Sequence, residues 1–229
     1  MISASVRLRG KGMSSRTWSV RSAKLLEDEK LGSVVLRLMM AMNDLGITNS
    51  SMAEWEKTDD PKKKARWRGG VLYFGRVQSA HLFEALSIID EIKKDKDLTA
   101  AVDKADQATK KSFDTVAQFL HSNDYKMMAK MRNVVAFHYD PKLAMRRLRK
   151  VVEDSPGHRI LYSLGSETLD WYFELGDLIA DEIVIREVFQ IPEGTDIKKA
   201  AIDVLDRLHK IGTAFADFAG YFIRAYCAK

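Results

Sequence analysis

The sequence predicts an all-α protein, an antiparallel helical bundle, and three observations carry that prediction. Apolar residues recur at helical spacing in seven segments along the chain. Helix-capping signals separate those segments. Strand signals are few: Val184-Ile185 and Val188-Phe189 are β-branched or aromatic, yet they continue a helical pattern. The chain should therefore be more than half helical, with no sheet.

The first helix carries Leu31, Val34, Val35, Leu38, Met42 and Leu45 on one stripe, and Gly46 with Asn49-Ser50-Ser51 should end it. Ser51 to Lys64 is polar and reads as a loop. A second helix sets Val71, Phe74, His81, Leu82, Ala85, Ile88, Ile89 and Ile92 on one side. A third, from about Leu98 to Leu120, is alanine-rich and amphipathic. Ser122-Asn123-Asp124 can cap a fourth, through Met128, Met131, Val134, Val135 and His138. Asp140-Pro141 reads as an N-cap with proline at the first helical position, so the fourth helix stops near Tyr139 and a fifth follows. After the Ser155-Pro156-Gly157 turn, a sixth helix should run from about Arg159 to Val188. Ile191-Pro192-Glu193-Gly194 breaks it. The last helix, about Thr195 to Tyr226, turns Ile197, Val204, Leu208, Ile211, Phe215, Phe218, Phe222 and Ile223 inward.

At 229 residues and 46% hydrophobic content the chain can bury a core without staples. Residues 1–15, basic and without an apolar core, read as a disordered lead-in rather than a signal peptide, and 16–229 as one domain. The one cysteine, Cys227, cannot form an intramolecular disulfide, which fits a reducing cytoplasm. No apolar run approaches the ~20 residues of a membrane span, so no membrane association is expected. There is no glycine-rich phosphate loop, no Gly-x-Ser-x-Gly elbow and no histidine pair at metal-ligand spacing, so no cofactor and no metal are expected.

Charge is uneven. The net is +5, but residues 126–150 hold eight bases (Lys126, Lys130, Arg132, Lys142, Arg146, Arg147, Arg149 and Lys150) against one acid, Asp140. Such a field attracts a polyanion, although a solvated helix face gives the same pattern. Lys142, Arg146, Arg147, Arg149 and Lys150 are the candidates for holding the phosphates of such a polyanion. Within the window lies Arg132-Asn133-Val134-Val135-Ala136-Phe137-His138. Histidine titrates near neutrality and can act as base or acid, arginine offers a planar fork to phosphate, and asparagine can orient a hydroxyl or hold the arginine. Six residues of ideal helix leave Arg132 and His138 roughly 120° apart, so convergence needs a helix irregularity, the reach of arginine, or a second subunit. Tyr139 lies near the face of Arg132 and is either a substrate contact or a packed ring with its hydroxyl outward. A second pair, Arg76 and His81, lacks a polar residue after the arginine and reads as structural. Trp67, among Lys62 to Arg68, is either a base-stacking ring or an anchored loop aromatic.

The Arg-Asn-x4-His stretch, and the longer run Met131 to Pro141, resemble the motif of HEPN proteins, including abortive-infection members. That resemblance implies a HEPN-like helical bundle, here with extra helices after His138. It implies a metal-independent endoribonuclease whose products end in 2′,3′-cyclic phosphate, with Arg132, Asn133 and His138 catalytic. It further implies a homodimer with the motif helix near the interface, a setting in toxin–antitoxin or phage defence, and an antitoxin protein as partner. A non-catalytic helical module binding RNA, a nucleotide or a protein is the alternative, and a structural bundle without a site is a second.

Overall fold

A computed structural model of the chain describes residues 21–136, 139–157 and 159–228. The expectations for the lead-in at 1–15, and for His138 and His158, fall outside these. The fold is all-α. A 3-10 turn at Ser22–Leu26 precedes α1 (Glu29–Glu56), α2 (Pro61–Ala65), α3 (Trp67–Lys94), α4 (Lys96–Asp103), α5 (Gln107–Phe119) and α6 (Asn123–Met131). A π-helical turn, Arg132–Ala136, continues α6 directly. Then come α7 (Pro141–Asp154), a ribbon of β1 (Tyr162–Ser163) and β2 (Tyr172–Phe173), α8 (Glu174–Glu182) with a second π turn at Ile183–Val188, and α9 (Ile197–Cys227).

The stripes read from the sequence make the core. Val34, Val35 and Leu38 of α1 meet Leu82, Leu86, Ile89 and Ile92 of α3, with Phe113 and Val116 of α5 and Phe215 and Phe218 of α9 closing the cluster. Helices α1 and α3 run antiparallel. Lys30 pairs with Asp95 at one end, Arg37 with Glu91 further along, and Trp55 packs on Phe74 at the other. A second, smaller cluster holds Met131, Val135, Ile183, Val184 and Val188, so both π turns contribute to it.

Five expectations are corrected. Helix α1 does not stop at Gly46 but runs to Glu56. Thr48, buried, returns its hydroxyl to the Asp44 carbonyl at 2.8 Å, and the Trp55 ring seats against α3 where Gly70 leaves room. A Cβ on Gly70 would lie 2.0 Å from Trp55 Nε1, so tertiary packing overrides the local stop signal. The 51–64 stretch is accordingly mostly helical. So is Lys62 to Arg68, where Asp60 caps α2 and Trp67 begins α3. The third helix is two, because Asp106 accepts the Thr109 amide at 2.7 Å and starts α5 afresh. The sixth helix begins only at Glu174, and a small antiparallel ribbon stands where helix and no sheet were expected. Gly157 at φ +98° turns the chain out of α7. Arg66 then holds the ribbon, donating to the Trp171 carbonyl and lying 5.0 Å over the Tyr172 ring.

Among the described residues α1 is also the one helix long and apolar enough to cross a membrane, which a count of unbroken apolar runs did not show. Its Val34, Val35 and Leu38 are fully buried in the core.

Candidate active site

Two caps position the motif. Ser122 Oγ accepts the Tyr125 amide at 3.1 Å and starts α6; Asp140 Oδ1 accepts the amides of Lys142 and Leu143 at 2.8 and 3.0 Å and starts α7, with Pro141 at the first position. Between them the buried side chains of Met128, Met131 and Val135 fix the inner face. The π turn falls on Arg132 to Ala136, the first five residues of the motif. Such turns are rare inside helices and often accompany functional sites, because the widened turn offsets the side chains that follow. Arg132 therefore stands at a helix irregularity, one of the three routes to convergence named above. His138 lies outside the described residues.

Arg132 is gripped twice. Its Nε donates to Glu84 Oε1 of α3 at 2.8 Å, and its Nη1 donates to Asn133 Oδ1 at 2.8 Å. Of the two roles open to Asn133, the structure shows it holding the arginine. A guanidinium has five N–H donors, so these two contacts leave three on the Nη1–Nη2 side of the fork. Both partners are surface side chains, so the Arg132–Glu84 pair orients the guanidinium more than it stabilises the fold. Tyr139 is 84% exposed, which fits a ring open to a ligand better than a packed one.

Glu84 was not legible as a site residue, because it lies 48 positions from Arg132 on another helix. Its side also lines a groove between α1 and α3 that includes Arg37, Asp44 and His81. His81 Nδ1 lies 3.7 Å from Asp44 Oδ2, so the histidine of the second Arg–His pair bridges α3 to α1. Its former companion Arg76 leans over Tyr73 at 5.9 Å instead.

The basic window divides. Arg147 reaches Glu187 of the second π turn through Nε at 3.0 Å, with both side chains largely buried. Arg146 adds a contact to the other Glu187 oxygen at 2.8 Å, and Lys130 donates to the Glu187 backbone carbonyl. Burial pushes the Glu187 carboxyl upward, but the hydrogen bond and charge of Arg147, then those of Arg146, outweigh it and hold it below its ordinary 4.5. Lys150 pairs with Asp154 one turn on. Lys142 and Arg149 are exposed. Arg147 thus ties α7 to the second core, while Lys142, Arg149 and the half-engaged Arg146 offer charge to solvent.

Among the described residues no group of three His, Cys, Asp or Glu side chains is placed to hold a metal ion. Compared with family models, with curated proteins and with solved structures, the chain matches none.

Proposed function

We infer that the chain is a metal-independent endoribonuclease with a HEPN-like bundle, cutting RNA to leave 2′,3′-cyclic phosphate ends. The observation that carries this reading is the double grip on Arg132. Asn133, the polar residue directly after the arginine, and Glu84 fix two of its donors and leave three for a phosphate. In the reaction the RNA 2′-hydroxyl attacks the adjacent phosphorus, its proton passes to a base, and the 5′-oxygen leaves with a proton. His138 is the residue assigned to proton transfer, and Arg132 the one that carries the growing phosphate charge. Tyr139, exposed beside the motif, contacts substrate. Lys142, Arg146 and Arg149 draw in the backbone, with Arg147 and Lys150 behind them. A homodimer, an antitoxin protein and a cytoplasmic defence role belong to the same proposal.

The test is cleavage of a single-stranded RNA by the purified chain in EDTA. Cleavage should persist, its products should carry cyclic phosphate by mass spectrometry, and His138→Ala should abolish it while helicity is retained. Activity that survives His138→Ala would sink this reading. A second reading has its own support, since Glu84 occupies one edge of the guanidinium that a phosphate would use. A wild-type chain that binds RNA without cutting it would favour that non-catalytic module.

A further inference from the structure

We propose that the groove between α1 and α3 holds the base of the nucleotide whose phosphate Arg132 binds, and that Asp44 selects guanine there.

The groove opens beside the candidate site. Glu84 belongs to both: its Oε1 accepts from Arg132 Nε at 2.8 Å, and its side chain is part of the groove lining. A ligand that reaches the guanidinium is therefore one side chain away from the groove. The space inside is about 190 Å³. Small-molecule pockets begin at roughly 300 Å³, so this one has room for a ring rather than for a whole nucleotide. Met40, Ala85 and Ile88 give it apolar walls.

The polar groups around it are unbalanced. Its donors on Arg37 and Ser87 are spent inside the chain. Arg37 commits Nη1 and Nη2 to the two oxygens of Glu91, at 2.7 and 2.6 Å, and the Ser87 hydroxyl donates to the Glu84 carbonyl at 2.6 Å. The acceptors are not spent. His81 Nδ1 lies 3.7 Å from Asp44 Oδ2, close enough for an ion pair and too far for a hydrogen bond. Both oxygens of the half-exposed Asp44 carboxylate can therefore still accept, and the groove calls for an occupant that brings donors.

Single-stranded RNA is read along the Watson–Crick edges of its bases. A carboxylate sets two acceptors side by side, the arrangement that takes two parallel N–H groups. Guanine presents such a pair, N1–H and the N2 amine. Adenine and cytosine set their amine beside a ring acceptor, and uracil flanks its one N–H with two carbonyls, so each of these turns a lone pair toward Asp44. An arginine of a partner protein would fill Asp44 as well, but it brings Arg132 no anion. A nucleotide serves both ends at once, with phosphate on the guanidinium and base in the groove. The inference rests on the ribonuclease reading only in taking RNA as the ligand.

Isothermal titration with nucleoside 3′-monophosphates decides it. The guanosine form should bind at least about tenfold more tightly than the adenosine, cytidine and uridine forms. The inosine form, which lacks the N2 amine, should fall between. Asp44→Asn, with an unchanged helical spectrum, should bring the guanosine form down to the level of the uridine form and leave the latter as it was. Arg132→Ala should weaken all of them alike. Equal affinity for the four nucleotides overturns the proposal, and so does a guanine preference that Asp44→Asn leaves intact. No binding of guanosine 3′-monophosphate at millimolar concentration overturns it too. If acetyl-arginine amide binds instead and Asp44→Asn abolishes that, the groove belongs to a partner's basic side chain. Guanine-selective binding without any cleavage would leave the groove assignment standing and sink the endonuclease reading; cleavage without base selectivity would do the reverse.

Discussion

Arg132 and Glu84, 48 residues apart in sequence, meet at 2.8 Å across the seam between the π turn and α3. The carboxylate takes the Nε edge of the guanidinium and Asn133 takes one Nη1 proton, so the arginine is aimed before any ligand arrives. Preorganised donors contribute more to a developing charge than donors that must first be ordered.

If that aim matters, Glu84→Ala should lower the single-turnover cleavage rate about tenfold without weakening RNA binding, since an acid facing the phosphate has been removed. Glu84→Gln, which keeps an acceptor for Nε, should recover most of the loss. An unchanged rate in Glu84→Ala would reduce the contact to an ordinary surface pair.

Arg132→Ala should lose both rate and affinity, with the rate falling on the order of 10²–10³-fold. Arg132→Lys should recover little, because an ammonium cannot satisfy Glu84 and Asn133 and still present a fork. Full activity in Arg132→Lys would show that charge alone suffices. His81→Ala should lower the melting temperature, through lost packing against α1, and leave the cleavage rate within a few-fold.

The basic helix should split by residue. Lys142→Glu and Arg149→Glu should weaken RNA binding alike for all sequences and flatten its salt dependence, because each phosphate contact releases a counterion. Arg147→Ala should instead destabilise the fold by about 1–3 kcal/mol, measured by denaturant unfolding, because it leaves the Glu187 carboxylate short of its main partner. Equal effects of all three on both readouts would undo the division.

Acid should destabilise the protein in part through Glu187, alongside Asp95, Asp106 and Asp170, which are also held below their ordinary value. The Glu187 carboxyl sits below the ordinary 4.5 in the folded chain, so the stabilisation it gives is fully present above that value and is lost as pH falls through the lower, folded one. Glu91, held down by the hydrogen bond from Arg37, acts in the same direction. Melting temperature should therefore be level above about pH 5 and fall below about pH 4.5. Glu187→Gln should reduce that fall, and a wild type whose stability is level down to pH 3 would remove the assignment.

The sequence made the core legible because burial repeats with the period of the helix. The stripes of α1, α3 and α9 could be read residue by residue, and so could the caps at Ser122 and Asp140, which act over two or three positions. What it hid depends on partners distant in the chain. Helix α1 passes Gly46 because Thr48 and Trp55 find burial against α3, and the ribbon forms because Arg66, about a hundred positions away, holds its inner face. In the candidate site, Arg132 and Asn133 were visible as neighbours in sequence. Glu84 and Glu187 were not, because a lone acid on a helix carries no mark of the base it will face. The split of the basic run into Arg147, which secures the fold, and Arg149, which faces water, has the same origin.

The π turn at Arg132–Ala136 also couples the length of this stretch to its rotation. A π turn holds roughly one residue more than the α-helical turn it replaces, and each residue of an α-helix swings its successors by about 100°. Removing one residue here would leave a continuous helix, yet it would turn Val135 away from Ile183 and Val184, or Arg132 away from Glu84, depending on which end gave way. Elsewhere on the surface a one-residue gap costs a loop adjustment. Within Arg132–Ala136 it would undo either the second core or the aim of the arginine, so the length of this turn is held by packing on one side and by an ion pair on the other.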